Sequence, residues 1–286
     1  PSNQFNGKFF IGVPALSSFN VQFSNRFSYS DIIVKRNDSL KLSFDNLLSE
    51  MKDRNYLNAE FRIDLFSFGY RINDNTQITF NVSEIATVNF GVNKDLVEFI
   101  YRGNAAFENR TADFEGLGVN ATHYREYGFG LSHQLNDKWR FGISAKYLHG
   151  MENIYTESME VQLRTDPETY ALNANTNFAI RSSGADIPDQ LNEYLDDYFT
   201  ARNNRGFAVD LGAHYQLNEK IDLSMSIVDW GFIRWNDNIQ NYYGEGDFTY
   251  DGIEINSIGN DEQALNGEIS FDRVLDSLEK ELGVQE

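Results

Sequence analysis

Four histidines, His123, His133, His149 and His214, are the side chains best suited to proton transfer near neutral pH, and no two of them have the spacing of zinc ligands. Asp210 and His214 stand four residues apart on one face of an alternating segment, and Ser224 and Ser226 follow on the next segment. Those three residue types are the parts of a Ser-His-acid hydrolase. Charges on the inward face of a closed sheet must be paired, however, and pairing favours a hydrogen-bond network over a nucleophile. The expected network comprises Asp210, His214, Arg140 and Lys146, with no catalytic residue and no metal ligand assigned. Glu245, Asp247 and Asp251, and likewise Asp186 and Asp189, gather carboxylates without the EF-hand pattern and read as solvated loops. Gly-x-Gly occurs at Gly116, Gly128 and Gly244, but none opens a helix with a third glycine, so no nucleotide cofactor is expected.

The element that must position these side chains is the stretch Gly128 to Tyr147, GFGLSHQLNDKWRFGISAKY. Tyr127, Phe129, Leu131 and Leu135 share one face of its first arm; Trp139, Phe141, Ile143, Ala145 and Tyr147 share one face of its second. A period of two sends successive side chains to opposite faces of a sheet. Each arm needs about ten residues, ends in aromatics and has a second face of glycine and polar groups, which is the pattern of a tilted transmembrane β-strand.

The same alternation places strands at 8–13, 19–29, 55–72, 78–90, 118–135, 158–164, 169–180, 207–217, 221–227 and 248–258. Between 55 and 72 the apolar phase switches at Leu65-Phe66, which a β-bulge there would explain, as would a strand that leaves the bilayer and packs against another surface. Short helices are expected at 45–51, 94–101, 189–200 and 271–282. FGYRINDNT, LSHQLNDKW and AHYQLNEKI repeat one turn type around Asn73, Asn136 and Asn218 at unequal intervals. Tight turns separated by long, variable excursions point to a barrel with turns on one rim and loops on the other. Closure is the physical requirement, because every backbone polar group in hydrocarbon must be paired.

Composition agrees. Among 286 residues there are 23 phenylalanines, 15 tyrosines, 4 prolines and no cysteine, so disulfides and thiolate metal sites are excluded. The mean hydropathy of −0.48 is low for a helical membrane protein, but alternation halves the apolar signal of a barrel. A net charge of −19 repels phosphate backbones, so nucleic acid is not an expected partner. The start at Pro1, mid-pattern, suggests a processed N-terminus.

FFIGVPALSSFNVQFSNRFSYSDII, beginning at Phe9, resembles the opening of a Bacteroidetes-type family of outer-membrane barrels of unknown function. SIVDWGFIRW, Ser226 to Trp235, is similar to that family's segment of Asp, a large residue, Gly, an apolar pair and Trp. The family is distantly similar to fatty-acid-transporter-like (FadL-like) barrels and to barrels near type IX secretion, by analogy alone. The resemblance implies an all-β, antiparallel transmembrane barrel in the cell outer membrane, with outer-membrane lipid and envelope proteins as partners. It also implies a longer chain, with strands beyond Asp261–Glu286, so residues 1–286 are expected to form one barrel domain lacking its C-terminal strands, the alternative being a small barrel closed by the strands above.

The expected function is passage of a hydrophobic or small solute, with Tyr194, Tyr198, Phe199, Tyr242 and Tyr243 as the capture surface. One alternative is a structural component of a type IX secretion-like complex. Another is a secreted soluble β-sandwich, in which Phe129, Phe141, Leu211 and Leu223 would meet across two stacked layers.

Overall fold

The computed structural model describes residues 5–13, 18–28, 32–36, 39–169, 171–184 and 204–250. Its strands are β1 (Phe9–Gly12), β2 (Phe19–Ser24), β3 (Ile33–Arg36), β4 (Ser39–Leu42), β5 (Arg54–Asn73), β6 (Thr76–Asn93) and β7 (Thr111–Asp113). β8 (Gly118–Gln134), β9 (Trp139–Thr165), β10 (Leu172–Ser183), β11 (Arg205–Asn218), β12 (Ile221–Arg234) and β13 (Ile239–Tyr250) follow. Two helices, α1 (Phe44–Glu50) and α2 (Lys94–Arg102), and a 3₁₀ turn (Asn104–Phe107) lie in connections. The helices expected at 189–200 and 271–282 lie outside the described residues.

Eleven strands form one antiparallel sheet, and β3 and β4 form a separate hairpin. β5, β6, β8 and β9 are neighbours in that order. β11 pairs with the first part of β9 and β10 with its last part; β12 and β13 then pair with β11 and β10. On the opposite edge β1 and β2 pair with successive parts of β5. Among the described residues the sheet has these two open edges and no closure.

The three repeated turns fall on one rim. Asn73 Oδ1 accepts from the Asn75 amide at 3.0 Å, Asn136 Oδ1 from Lys138 and Trp139 at 2.9 Å, and Asn218 Oδ1 from Lys220 at 2.9 Å. Each asparagine thus folds its own turn, the mechanism that makes this residue recur there. The register shift between Asp64 and Phe66 is the expected bulge, and it keeps Ile63 and Phe66 on one face. Where the sequence suggested a strand ending at Tyr147 and another at 158–164, β9 runs unbroken to Thr165. A register shift beside Tyr124 re-phases it, so simple alternation stops being readable.

On the long-connection rim, Phe107, Ala112 and Phe114 form a small core with Phe99, Val161 and Leu163, tying α2 and β7 to the far end of β9. Asn204 is fully buried where β10, β9 and the β12–β13 link converge. Its Oδ1 accepts from the Asn236 and Asp237 amides at 2.7 and 2.9 Å, and its carbonyl accepts from Gly150 at 2.9 Å. A Cβ at Gly150 would stand 2.6 Å from the Trp235 ring, so glycine there is what lets the tryptophan pack.

Candidate functional site

Burial is inverted relative to a water-soluble sheet. Phe129, Phe141, Leu211 and Leu223 are 53%, 43%, 40% and 53% exposed, whereas Glu126 and Lys146 on the opposite face are 1% and 8% exposed. The sandwich alternative would bury those four apolar side chains. Leu131, Ile143 and Leu211 are cross-strand partners in the middle of the apolar face. Aromatics mark both of its ends. Trp139 and Tyr215 pack at 4.4 Å beside the tight turns, and eight residues along β9 Tyr147 packs 6.0 Å from Tyr127 and 5.6 Å from Phe207. Eight residues of strand span about 26 Å.

The face opposite the apolar rows carries a buried charge network that crosses six strands. Arg62 Nη2 donates to Glu126 Oε1 at 2.9 Å, as does Asn81 Nδ2 at 3.0 Å. Ser83 donates to Asp64 at 2.7 Å. Lys146 Nζ lies 2.5 Å from Asp229 Oδ1, 2.9 Å from Asp210 Oδ2 and 3.3 Å from Glu126 Oε2, the last without hydrogen-bond alignment. Two cations, Arg62 and Lys146, thus face four carboxylates, Asp64, Glu126, Asp210 and Asp229.

Asp229 reaches this network through a bulge. The β11–β12 register shifts between Val209 and Leu211, and Asp229 takes a left-handed φ of 54°. Its amide donates to Asp210 Oδ1 at 2.8 Å, which holds the turned backbone in place. Two residues on, a Cβ at Gly231 would stand 2.5 Å from Ala208 Cα, so the strand past the bulge approaches β11 closely. The segment SIVDWGFIRW is therefore a local device that turns one carboxylate onto the polar face, toward Lys146.

Of the expected network, the structure brings Lys146 and Asp210 together. Arg140 and His214 are register partners nearer the tight turns. His214 Nε2 is 3.8 Å from Asp222 Oδ1, and Asp210 is engaged by Lys146, so Asp210, His214 and Ser224 do not assemble a triad. Glu126, Asp64, Arg62 and Asp229 were missed. Glu126 continues the polar-face phase of Gly128 and Gly130, a signal that was present; Asp229 is out of phase because of its bulge.

Tyr194, Tyr198 and Phe199 lie outside the described residues. Tyr242 and Tyr243 are on β13; the Tyr242 hydroxyl donates to Gln240 Oε1 at 3.1 Å, and Tyr243 is half exposed. A polar cavity of about 490 Å³ opens at the long-connection rim between Tyr56, Asn89, Glu115, Asn120, Thr156 and Glu160. A second one of about 420 Å³ lies on the apolar face between Leu131, Phe141, Leu211 and Met225. Neither includes Tyr242 or Tyr243. No helix among the described residues is long and apolar enough to cross a membrane, which says nothing of spanning by strands.

A family model described as a family of unknown function, DUF5723, matches residues 1–286. No curated protein and no solved structure matches the chain.

Proposed function

The chain belongs to the DUF5723 family of unknown function, and from that premise we propose that it is an outer-membrane β-barrel protein, not an enzyme, that passes a small or hydrophobic solute. The observation that carries this reading is the inverted burial: Leu131, Ile143 and Leu211 face outward while Glu126 and Lys146 are enclosed. In water such a sheet would leave its apolar row uncovered; in a bilayer that row meets hydrocarbon. Nine residues from Trp139 to Tyr147, bracketed by aromatics, match the 9–11 of a tilted spanning strand. The asparagine turns would face the periplasm and the long connections outward. β1 and β2 run away from the turn rim, and so do β12 and β13. An antiparallel barrel containing this sheet therefore holds an odd number of further strands between those edges. Tyr242 and Tyr243, with Tyr194, Tyr198 and Phe199, remain the proposed capture surface for an apolar solute.

Two measurements test this reading together. The full-length protein is expected in the outer-membrane fraction with heat-modifiable migration on a denaturing gel, and in planar bilayers it is expected to give stepwise conductance or ligand-dependent uptake. Recovery in a soluble fraction would overturn the membrane reading. A second reading, a structural component of an envelope complex, is favoured by the charge network that crosses six strands on the face opposite the apolar rows. A silent bilayer with a co-purifying envelope protein would select it.

A further inference from the structure

On the apolar face, cross-strand partners form rows that can be read across the sheet. Tyr127, Tyr147, Phe207 and Phe232 make one row. The next row away from the tight turns is Glu84, Arg125, His149, Arg205 and Arg234. Glu84 is engaged: its carboxylate accepts from Arg125 Nε at 2.8 Å and lies 2.9 Å from His123 Nε2. Arg205 and Arg234 are both exposed and stand directly opposite one another. Among the described residues neither forms an ion pair.

Like charges facing each other across two strands destabilise a sheet. The chain as a whole carries a net charge of −19, so a row of basic side chains is not what its composition would supply. Although Arg234 lies 5.7 Å over the Phe232 ring, no carboxylate among the described residues balances the Arg205–Arg234 pair. An anion outside the protein would. The aromatic row just below is the kind that settles at the lipid headgroup level, and one further step of two residues rises about 7 Å along the strand. Arginine at that height meets headgroup phosphate, which its planar fork binds through paired hydrogen bonds. On β5 and β6 the apolar surface continues past this row to Phe61, Val88 and Phe90, so the basic row is confined to β8–β12.

We infer that Arg205 and Arg234, the exposed end of this row, form a short basic belt that binds the phosphates of anionic lipid headgroups at the long-connection side of the membrane, whereas Arg125 is largely buried against Glu84. The inference rests on the membrane reading above and goes beyond it by assigning the lipid class and the residues.

The test uses the full chain in phosphatidylcholine vesicles containing phosphatidylglycerol, with brominated chains on one lipid or the other. Quenching of tryptophan emission then reports which lipid lies against the protein; Trp230 is exposed on the same face, four residues from Arg234. Stronger quenching by the anionic lipid is expected, weakening as salt is added. Arg205→Gln with Arg234→Gln should cut that preference by about five-fold per arginine, the equivalent of about 1 kcal/mol per basic residue near an anionic surface. Arg205→Lys with Arg234→Lys should keep most of it. Equal quenching by both lipids in the wild-type protein would overturn the belt and leave the membrane reading standing. No quenching by either would overturn the membrane reading itself. If the glutamine pair fails to fold, the wild-type preference and its salt dependence still decide.

Discussion

Lys146 Nζ lies 2.5 Å from Asp229 Oδ1 although β11 separates the strands that carry them, because the β12 bulge turns Asp229 back toward β9. Removing Lys146 would leave Asp210 and Glu126 buried without their shared cation. Lys146→Met is therefore expected to cost about 3–5 kcal/mol. The Asp229 side chain is 54% exposed, so Asp229→Asn should cost much less, through solvent screening. Urea unfolding in detergent, read by heat-modifiable migration, checks both. A Lys146 variant as stable as the wild type would mean that the network does not hold the polar face together.

Ile143 sits midway between the two aromatic ends of β9 and is flanked in register by Leu131 and Leu211. Ile143→Arg separates lipid from water as its surroundings. In a bilayer midplane the arginine costs about 2–4 kcal/mol. On a water-exposed surface the same change stays within about 0.5 kcal/mol. Folding titrations in lipid vesicles give the number, and a neutral result would remove lipid from that face.

The outward row and the asparagine turns were legible in the sequence because both follow local rules: a period of two, and a side chain that closes its own turn. The β5 bulge was legible for the same reason, since an inserted residue switches the apolar phase locally at Leu65-Phe66, and the register shift chooses it over a strand that packs against another surface. The charge network was only half legible. Lys146 and Asp210 lie in phase on long strands, but Asp229 reaches them through a left-handed residue that alternation counts on the wrong face. The continuation of β9 past Tyr147 was lost to a re-phasing shift, and the β3–β4 hairpin was too short to alternate visibly. The basic row could not be seen at all, because Arg125, His149, Arg205 and Arg234 become neighbours only once the register of four strands is known.

The β9–β10 connection carries a pH-sensitive turn. Asp166 is held below the ordinary aspartate value of 3.8 by the Thr169 amide, then by the Glu168 amide and the Thr169 hydroxyl, at 2.8, 2.9 and 2.9 Å. A depressed carboxyl pKa stabilises the turn fully above 3.8, and that contribution is lost as pH falls through the lower folded-state value. Hydrogen exchange at the Glu168 and Thr169 amides should therefore speed up on acidification beyond its intrinsic pH trend. Asp166→Asn should abolish that excess. An excess that survives the substitution would assign it to another group.

Asn204 joins β10 to the β12–β13 link through its side chain and β9 through its carbonyl, and loss of the side chain should be felt at a distance. Asn204→Ala would strip the acceptor from the Asn236 and Asp237 amides in a site with no exposure. An unsatisfied buried donor costs about 1–3 kcal/mol. Asn204→Asp keeps an acceptor in place and should lose less, while Gly150→Ala, which forces a Cβ toward Trp235, should cost about 1–3 kcal/mol by overpacking. Trp235 closes the segment that opens with Asp229. If the junction holds that segment in register, Asn204→Ala will speed exchange at Asn236 and Asp237 and also at the Asp229 amide, which bonds Asp210. Acceleration confined to Asn236 and Asp237 would show that the bulge stands without the junction.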